Sequence, residues 1–168
     1  MPSPVVALLM GSDTDVPTVR EACTILHQFG VPFEVRVLSA HRSPEDLVAF
    51  VHKAELEGVR VFIAAAGGAA HLAGVVAAHT TRPVLGIPIE TSALNGLDSL
   101  LSMVQMPGGV PVATMAIGNA GARNAGLFAV QVLALGDPAL AEKLKHYRSE
   151  QTELVRQKDE GVRQQFAD

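Results

Sequence analysis

The sequence predicts an α/β fold in three layers, with a parallel sheet of five strands covered by helices on both faces. Two observations carry this. Short apolar runs rich in Val, Ile and Leu alternate with longer amphipathic or Ala-rich stretches, the βαβ signature of strands buried on both faces. A length of 168 residues also suits one compact domain, set against about 150 residues per domain. Disorder is excluded, because 48% apolar and 18% charged residues can bury enough surface to offset chain entropy.

The expected strands are residues 5–10, 34–38, 60–65, 84–87 and 113–117, each a run of apolar or β-branched residues. Helical patterns lie between them at 15–29, 44–57, 69–79, 93–104 and 119–135. Ser43-Pro44-Glu45-Asp46 marks a helix start: Ser can cap, Pro suits the first helical position and acids favour the positive end of the dipole. Asp137-Pro138 repeats the device and opens a last helix from 139 to about 157, whose Leu140, Leu144, Tyr147 and Leu154 make only a narrow apolar stripe. Such a tail either lies over its own domain or reaches a neighbouring subunit. Ala enrichment implies closely packed helices, and there is no internal repeat or low-complexity segment.

Thirteen Lys and Arg against seventeen Asp and Glu leave a net charge of −4, and no basic tract offers the phosphate-neutralising stripe of a nucleic-acid binder. The apolar run at 5–10 is too short to span a bilayer and lacks a basic leader and cleavage site, so a cytoplasmic protein without membrane attachment is expected. The single cysteine, Cys23, has no disulfide partner and falls in a helical pattern, where a buried core position is expected. No ligand cluster for a metal is present, and His27, His52, His79 and His146 read as surface or interfacial residues on helices.

Ligands of open parallel sheets bind outside the carboxyl ends of the strands, near the switch point in strand order. Three loops at that edge are unusual. Gly11-Ser12-Asp13-Thr14-Asp15 joins a glycine, hydroxyls and the free N–H groups of a helix start into the outline of a phosphate cradle, without the Lys of a Walker loop or the spacing of a dinucleotide fingerprint. Ser12 and Asp15 suit helix capping equally. Ser39-Ala40-His41-Arg42 places an imidazole suited to proton transfer near neutrality beside a guanidinium fork suited to phosphate. Ala66-Gly67-Gly68-Ala69-Ala70-His71 is bare enough for a planar ligand, or another backbone, to lie on the main chain. A fourth stretch, Gln105-Met106-Pro107-Gly108-Gly109-Val110-Pro111, is too rich in Pro and Gly for regular structure and is either a wall, a lid or a connecting loop.

Together these residues resemble the PurE family, N5-carboxyaminoimidazole ribonucleotide mutases (class I type) of de novo purine biosynthesis. The likeness runs from about Val5 to Leu154. It includes Met10-Gly11-Ser12 with Asp15, Ser39-Ala40-His41-Arg42 followed by Pro44, Gly67-Gly68-Ala69-Ala70-His71-Leu72, and Gln105-Met106-Pro107. The chain departs from the family pattern at Thr14, Val16, Ala65, Ala73 and Ala113, where Ser, Trp, Gly, Pro and Gly are frequent.

The resemblance implies a flavodoxin-like sheet, a single catalytic domain over 1–168 and a homo-octamer, with residues 137–168 packing on a neighbouring subunit and helping to build its site. Ser12, Thr14 and Arg42 would bind the nucleotide phosphate, and Asp15 the ribose hydroxyls. Ser39, Ala40, Gly67, Gly68, Ala69, His71 and Leu72 would surround the imidazole and the migrating carboxylate, with His41 as the acid and base. No cofactor or metal is implied. Direct carboxylation of aminoimidazole ribonucleotide by free CO2 is the nearest alternative. A non-catalytic flavodoxin-like module is another, although the strand-three and strand-five ends, Ala65-Ala66-Gly67 and Ile117-Gly118-Asn119, lack the Asp and Lys of a phosphoacceptor.

Overall fold

The computed structural model describes residues 3–167, so residues 1, 2 and 168 of the expected domain lie outside it. The chain forms two compact units that divide between Val132 and Leu133. The first contains β1 (Val6–Met10), β2 (Phe33–Val37), β3 (Val61–Ala66), β4 (Val84–Pro88) and β5 (Ala113–Thr114). These form one sheet in the order β2-β1-β3-β4-β5, with every neighbouring pair parallel. That is the flavodoxin-like order, and its switch point lies between β1 and β3.

The helices are α1 (Val16–Phe29), α2 (Pro44–Leu56), α3 (Leu72–Ala78), α4 (Leu97–Val104) and α5 (Gly118–Ala134), the last crossing the division between units. β1, β3 and β4 are buried along their whole length, which is why their sequences are continuously apolar. On one face Ala7, Leu9, Phe62 and Ala64 pack with Leu47, Phe50 and Val51 of α2 and with Leu72, Ala73 and Val76 of α3. Strand alternation turns Leu8, Met10, Ile63 and Ala65 to the other face, where α1 buries Val19, Ala22, Ile25, Leu26 and Phe29. α5 runs against α1 so closely that a Cβ on Gly126 would stand 2.9 Å from the Ala22 carbonyl oxygen.

Several boundaries differ from the sequence expectation, each for a local reason. α1 is preceded by a 3-10 turn over Asp13–Asp15. α3 starts at Leu72 rather than 69, because Gly68 is left-handed (φ 65°) and the N–H groups of Ala70 and His71 bond two residues back. α4 starts at Leu97 rather than 93, since Asn95 and Gly96 both have positive φ. β5 stops at Thr114 instead of 117, as the chain bends back until the Ala116 carbonyl lies over Gly121. Cys23 is half-buried rather than a core residue, because it flanks the buried stripe of α1, and burial still pushes its thiol pKa up.

The second unit contains α6 (Pro138–Gln165), a 28-residue helix. Asp137 caps it, accepting from the Leu140 N–H at 3.1 Å, with Pro138 in the first turn. It runs past the expected end near 157 because the residues beyond are mostly good helix formers. Exposed pairs one turn apart, such as Lys145–Glu142 and His146–Glu150, add small increments. Among the described residues no helix is long and apolar enough to cross a membrane.

Candidate active site

The loops after β1, β2 and β3 meet at the carboxyl edge of the sheet, around the switch point. In the first, Ser12 accepts a hydrogen bond from the Thr14 N–H at 3.3 Å and another from the Thr14 hydroxyl at 2.8 Å, which closes the 3-10 turn. Ser12 therefore is a cap as well as a cleft residue. Asp15 stands at the cap position of α1 but makes no side-chain bond to that helix. Burial lifts its carboxyl above the ordinary value of 3.8, while the Thr14 hydroxyl and the Ser12 backbone pull it back down.

In the second loop the serines shape the backbone. Ser39 Oγ accepts from the N–H groups of His41 (3.3 Å) and Arg42 (3.1 Å), and Ser43 Oγ accepts from the Ser39 N–H at 3.1 Å. Ser43 holds the cap position of α2, as its sequence suggested, but its hydroxyl folds the loop instead of capping the helix. Arg42 Nη2 donates to the Gly11 carbonyl at 2.9 Å, tying this loop to the first and leaving further N–H donors of its fork for an anion.

The third loop turns at Gly68, and the tight turns at Ala70 and His71 carry the His71 ring to the second loop. There His41 Nε2 and His71 Nδ1 stand 2.8 Å apart, with the rings edge to face at 89°. One nitrogen must hold the proton and the other accept it, so the pair shares a single hydrogen across the contact.

These loops enclose a cleft of about 400 Å³. Ser12, Thr14, Asp15, Ser39, Ala40, His41, Arg42, Gly67, Ala69, His71 and Leu72 all line it, which brings eleven of the twelve expected residues together. Gly68 is the exception: it does not line the cleft but turns the third loop through its left-handed backbone. Gly11 and Ala66, which the sequence placed in these loops without a role of their own, line the cleft as well, whereas the two serines of α4 that hold Gly68, Ser99 and Ser102, went unnoticed in the sequence. Polar residues on an otherwise apolar helix were the available signal for the serines.

The stretch from Gln105 to Pro111 contributes no lining residue. Its Met106 sulfur instead packs over Gly74 of α3, 3.1 Å from where a Cβ would stand. The remaining histidines lie elsewhere: His52 and His79 meet ring to ring at 5.9 Å, with His79 just past the end of α3, and His146 pairs with Glu150. Among the described residues no three His, Cys, Asp or Glu side chains converge on a metal site.

A proton-sharing imidazole pair, a guanidinium fork and a bare main-chain platform thus face one cleft. The AIR carboxylase family model matches residues 5–154. Among curated proteins, the N5-carboxyaminoimidazole ribonucleotide mutase of Synechocystis is 54% identical over 154 residues, covering 92% of this chain and 86% of that protein. The protein of the same name from Bacillus subtilis is 53% identical over 152 residues, covering 90% and 94%. Among solved structures, Treponema denticola PurE superposes with a TM-score of 0.85 at 26% identity, covering 93% of this chain and 96% of that one. By the match over nearly its whole length, the chain belongs to the AIR carboxylase family.

Proposed function

We propose that this chain is an N5-carboxyaminoimidazole ribonucleotide mutase of purine biosynthesis, an isomerase that moves a carboxylate from the exocyclic N5 to ring carbon C4. The observation that carries the reading is His41, held against His71 in the lining of a cleft that also presents Arg42. Relatives at about half identity bear that name, which supports the choice of reaction.

In this reading Arg42, Ser12 and Thr14 grip the nucleotide phosphate and Asp15 the ribose hydroxyls. Protonated His41 gives its proton to N5 as the N–C bond breaks, and the bonding pair returns to nitrogen, leaving the free amine and CO2. The third loop holds the CO2 over C4. Carbon C4 attacks it, forming the C–C bond, and neutral His41 removes the C4 proton to restore aromaticity. Protons balance, because the one given in the first half returns in the second, and neither oxidant nor phosphate donor enters. Enclosure makes the recombination effectively unimolecular, a change that contributes about 7–11 kcal/mol when orientation is good.

The proposal includes a cytoplasmic homo-octamer in which residues 137–168 of one subunit help to build the site of the next. Leu97, Leu101 and Val104, spaced along one face of α4 and each about half exposed, supply an apolar surface suited to such contacts. The test is a product assay with the N-carboxylated nucleotide in CO2-depleted buffer, repeated with labelled bicarbonate. Product with an unlabelled C4 carboxylate is expected. Product that forms only with bicarbonate and carries its label would mean direct carboxylation and overturn the mutase reading.

A further inference from the structure

Ser99 is the fully buried polar residue among the described side chains, at 0% exposure, on the face of α4 turned to the sheet. A hydroxyl is costly there unless both its donor and its acceptor are used. Both are. Ser99 Oγ accepts from the Gly68 N–H at 2.9 Å and donates to the Ile89 carbonyl at 2.7 Å. One turn further on, Ser102 Oγ lies 3.2 Å from the Gly68 carbonyl and 2.7 Å from that of Asp98, sharing its one proton between them. Gly68 is thus held at both polar groups by one helix, in the left-handed conformation (φ 65°) that lets the third loop turn back toward His41.

A bridge of this kind is more than is needed to bury a helix, for which Ala at both positions would serve. Its effect is to set the distance of Gly67 and Ala69 from the cleft, and through the turns at Ala70 and His71 the approach of His71 to His41. We infer that Ser99, supported by Ser102, is a positioning residue that fixes the third loop as the wall confining CO2 between the two halves of the reaction. The inference rests on the mutase reading above.

The test compares wild type, Ser99→Ala and Ser102→Ala in two assays. The first is turnover of the N-carboxylated nucleotide with labelled bicarbonate, scored as kcat, KM and the labelled fraction of product. The second is hydrogen exchange at the Gly68 amide. Small displacements remote from the chemistry can cost up to about 10²-fold in rate, so Ser99→Ala is expected to lose about 10- to 10²-fold in kcat with KM nearly unchanged. Its labelled fraction should rise well above that of wild type, and the Gly68 amide should exchange faster. Ser102→Ala, whose side chain is only partly buried, should show the same signature more weakly. It decides the question if Ser99→Ala does not fold.

A folded variant that loses activity in proportion to stability, with the labelled fraction unmoved, shows a merely structural serine and overturns the inference. Unchanged kcat and Gly68 exchange do so as well. If wild type itself takes its carboxylate from labelled bicarbonate, the mutase reading fails. Ser99 as the loop's positioning residue then stands or falls on kcat and Gly68 exchange.

Discussion

His41 and Arg42 are adjacent in sequence yet take different partners, one a second imidazole 2.8 Å away and the other the Gly11 carbonyl at 2.9 Å. Substitutions should separate their work. His41→Asn keeps a side chain of similar reach but cannot shuttle the proton, so kcat should fall about 10²- to 10⁴-fold while nucleotide binding by calorimetry stays within a few-fold. Near-normal turnover would refute the assignment. Arg42→Ala removes the tie to the Gly11 carbonyl together with the proposed charge-assisted grip on phosphate, and should raise KM about 10-fold or more. Asp15 supplies a pH signature. Its folded-state pKa is raised above 3.8 by burial, so the native state holds its proton more tightly than the unfolded chain does. The stability this contributes is complete below 3.8 and disappears as pH rises through the raised value. Asp15→Asn, neutral throughout, should therefore raise Tm relative to wild type at about pH 7, with the gap shrinking as pH falls toward about 4. A constant gap across that range would rule out the carboxyl as its cause.

At the scale of elements, two glycines on helices predict opposite outcomes. Gly126 of α5 faces the Ala22 carbonyl and the Ile25 side chain of α1, with a Cβ reaching 2.9 and 3.0 Å. Backbone there cannot yield cheaply, so Gly126→Leu should destabilise by at least about 1–3 kcal/mol in urea unfolding. Gly161 of α6 has open space around it, with nothing beyond its chain neighbours and the helix's own backbone within 4 Å of where a Cβ would stand. Gly161→Ala should gain up to about 1 kcal/mol from helix propensity alone. Strand cores and helix existence were legible because apolar runs and caps are local. Helix starts at Leu72 and Leu97 were not, since each depends on residues held left-handed in the folded chain. For Gly68 the residues that hold it are Ser99 and Ser102, far along the sequence.

For the whole molecule, the exposed stripe of Leu97, Leu101 and Val104 is the kind of surface that an assembly covers. Light scattering should give a multiple of the 17.6 kDa chain mass, and Leu101→Glu should shift it toward smaller species. A wild-type mass of one chain would contradict the proposed octamer and any site built between subunits.

The sequence by itself determined the five parallel strands, their alternation with helices and the loops that line the cleft, because apolar runs and capping are written in consecutive residues. It also contained His41, Arg42 and the bare Gly-Ala loop, as residue types suited to a task. What only the tertiary structure decided is that His41 meets His71, that Arg42 binds Gly11, and that Ser99 holds Gly68. Each of these pairs is separated by about thirty residues of chain, 30 in one case and 31 in the others. Local propensity carries no information across such a gap, and the juxtaposition follows from strand order, which places the ends of β1, β2 and β3 side by side and sets β4, which leads into α4, next to β3.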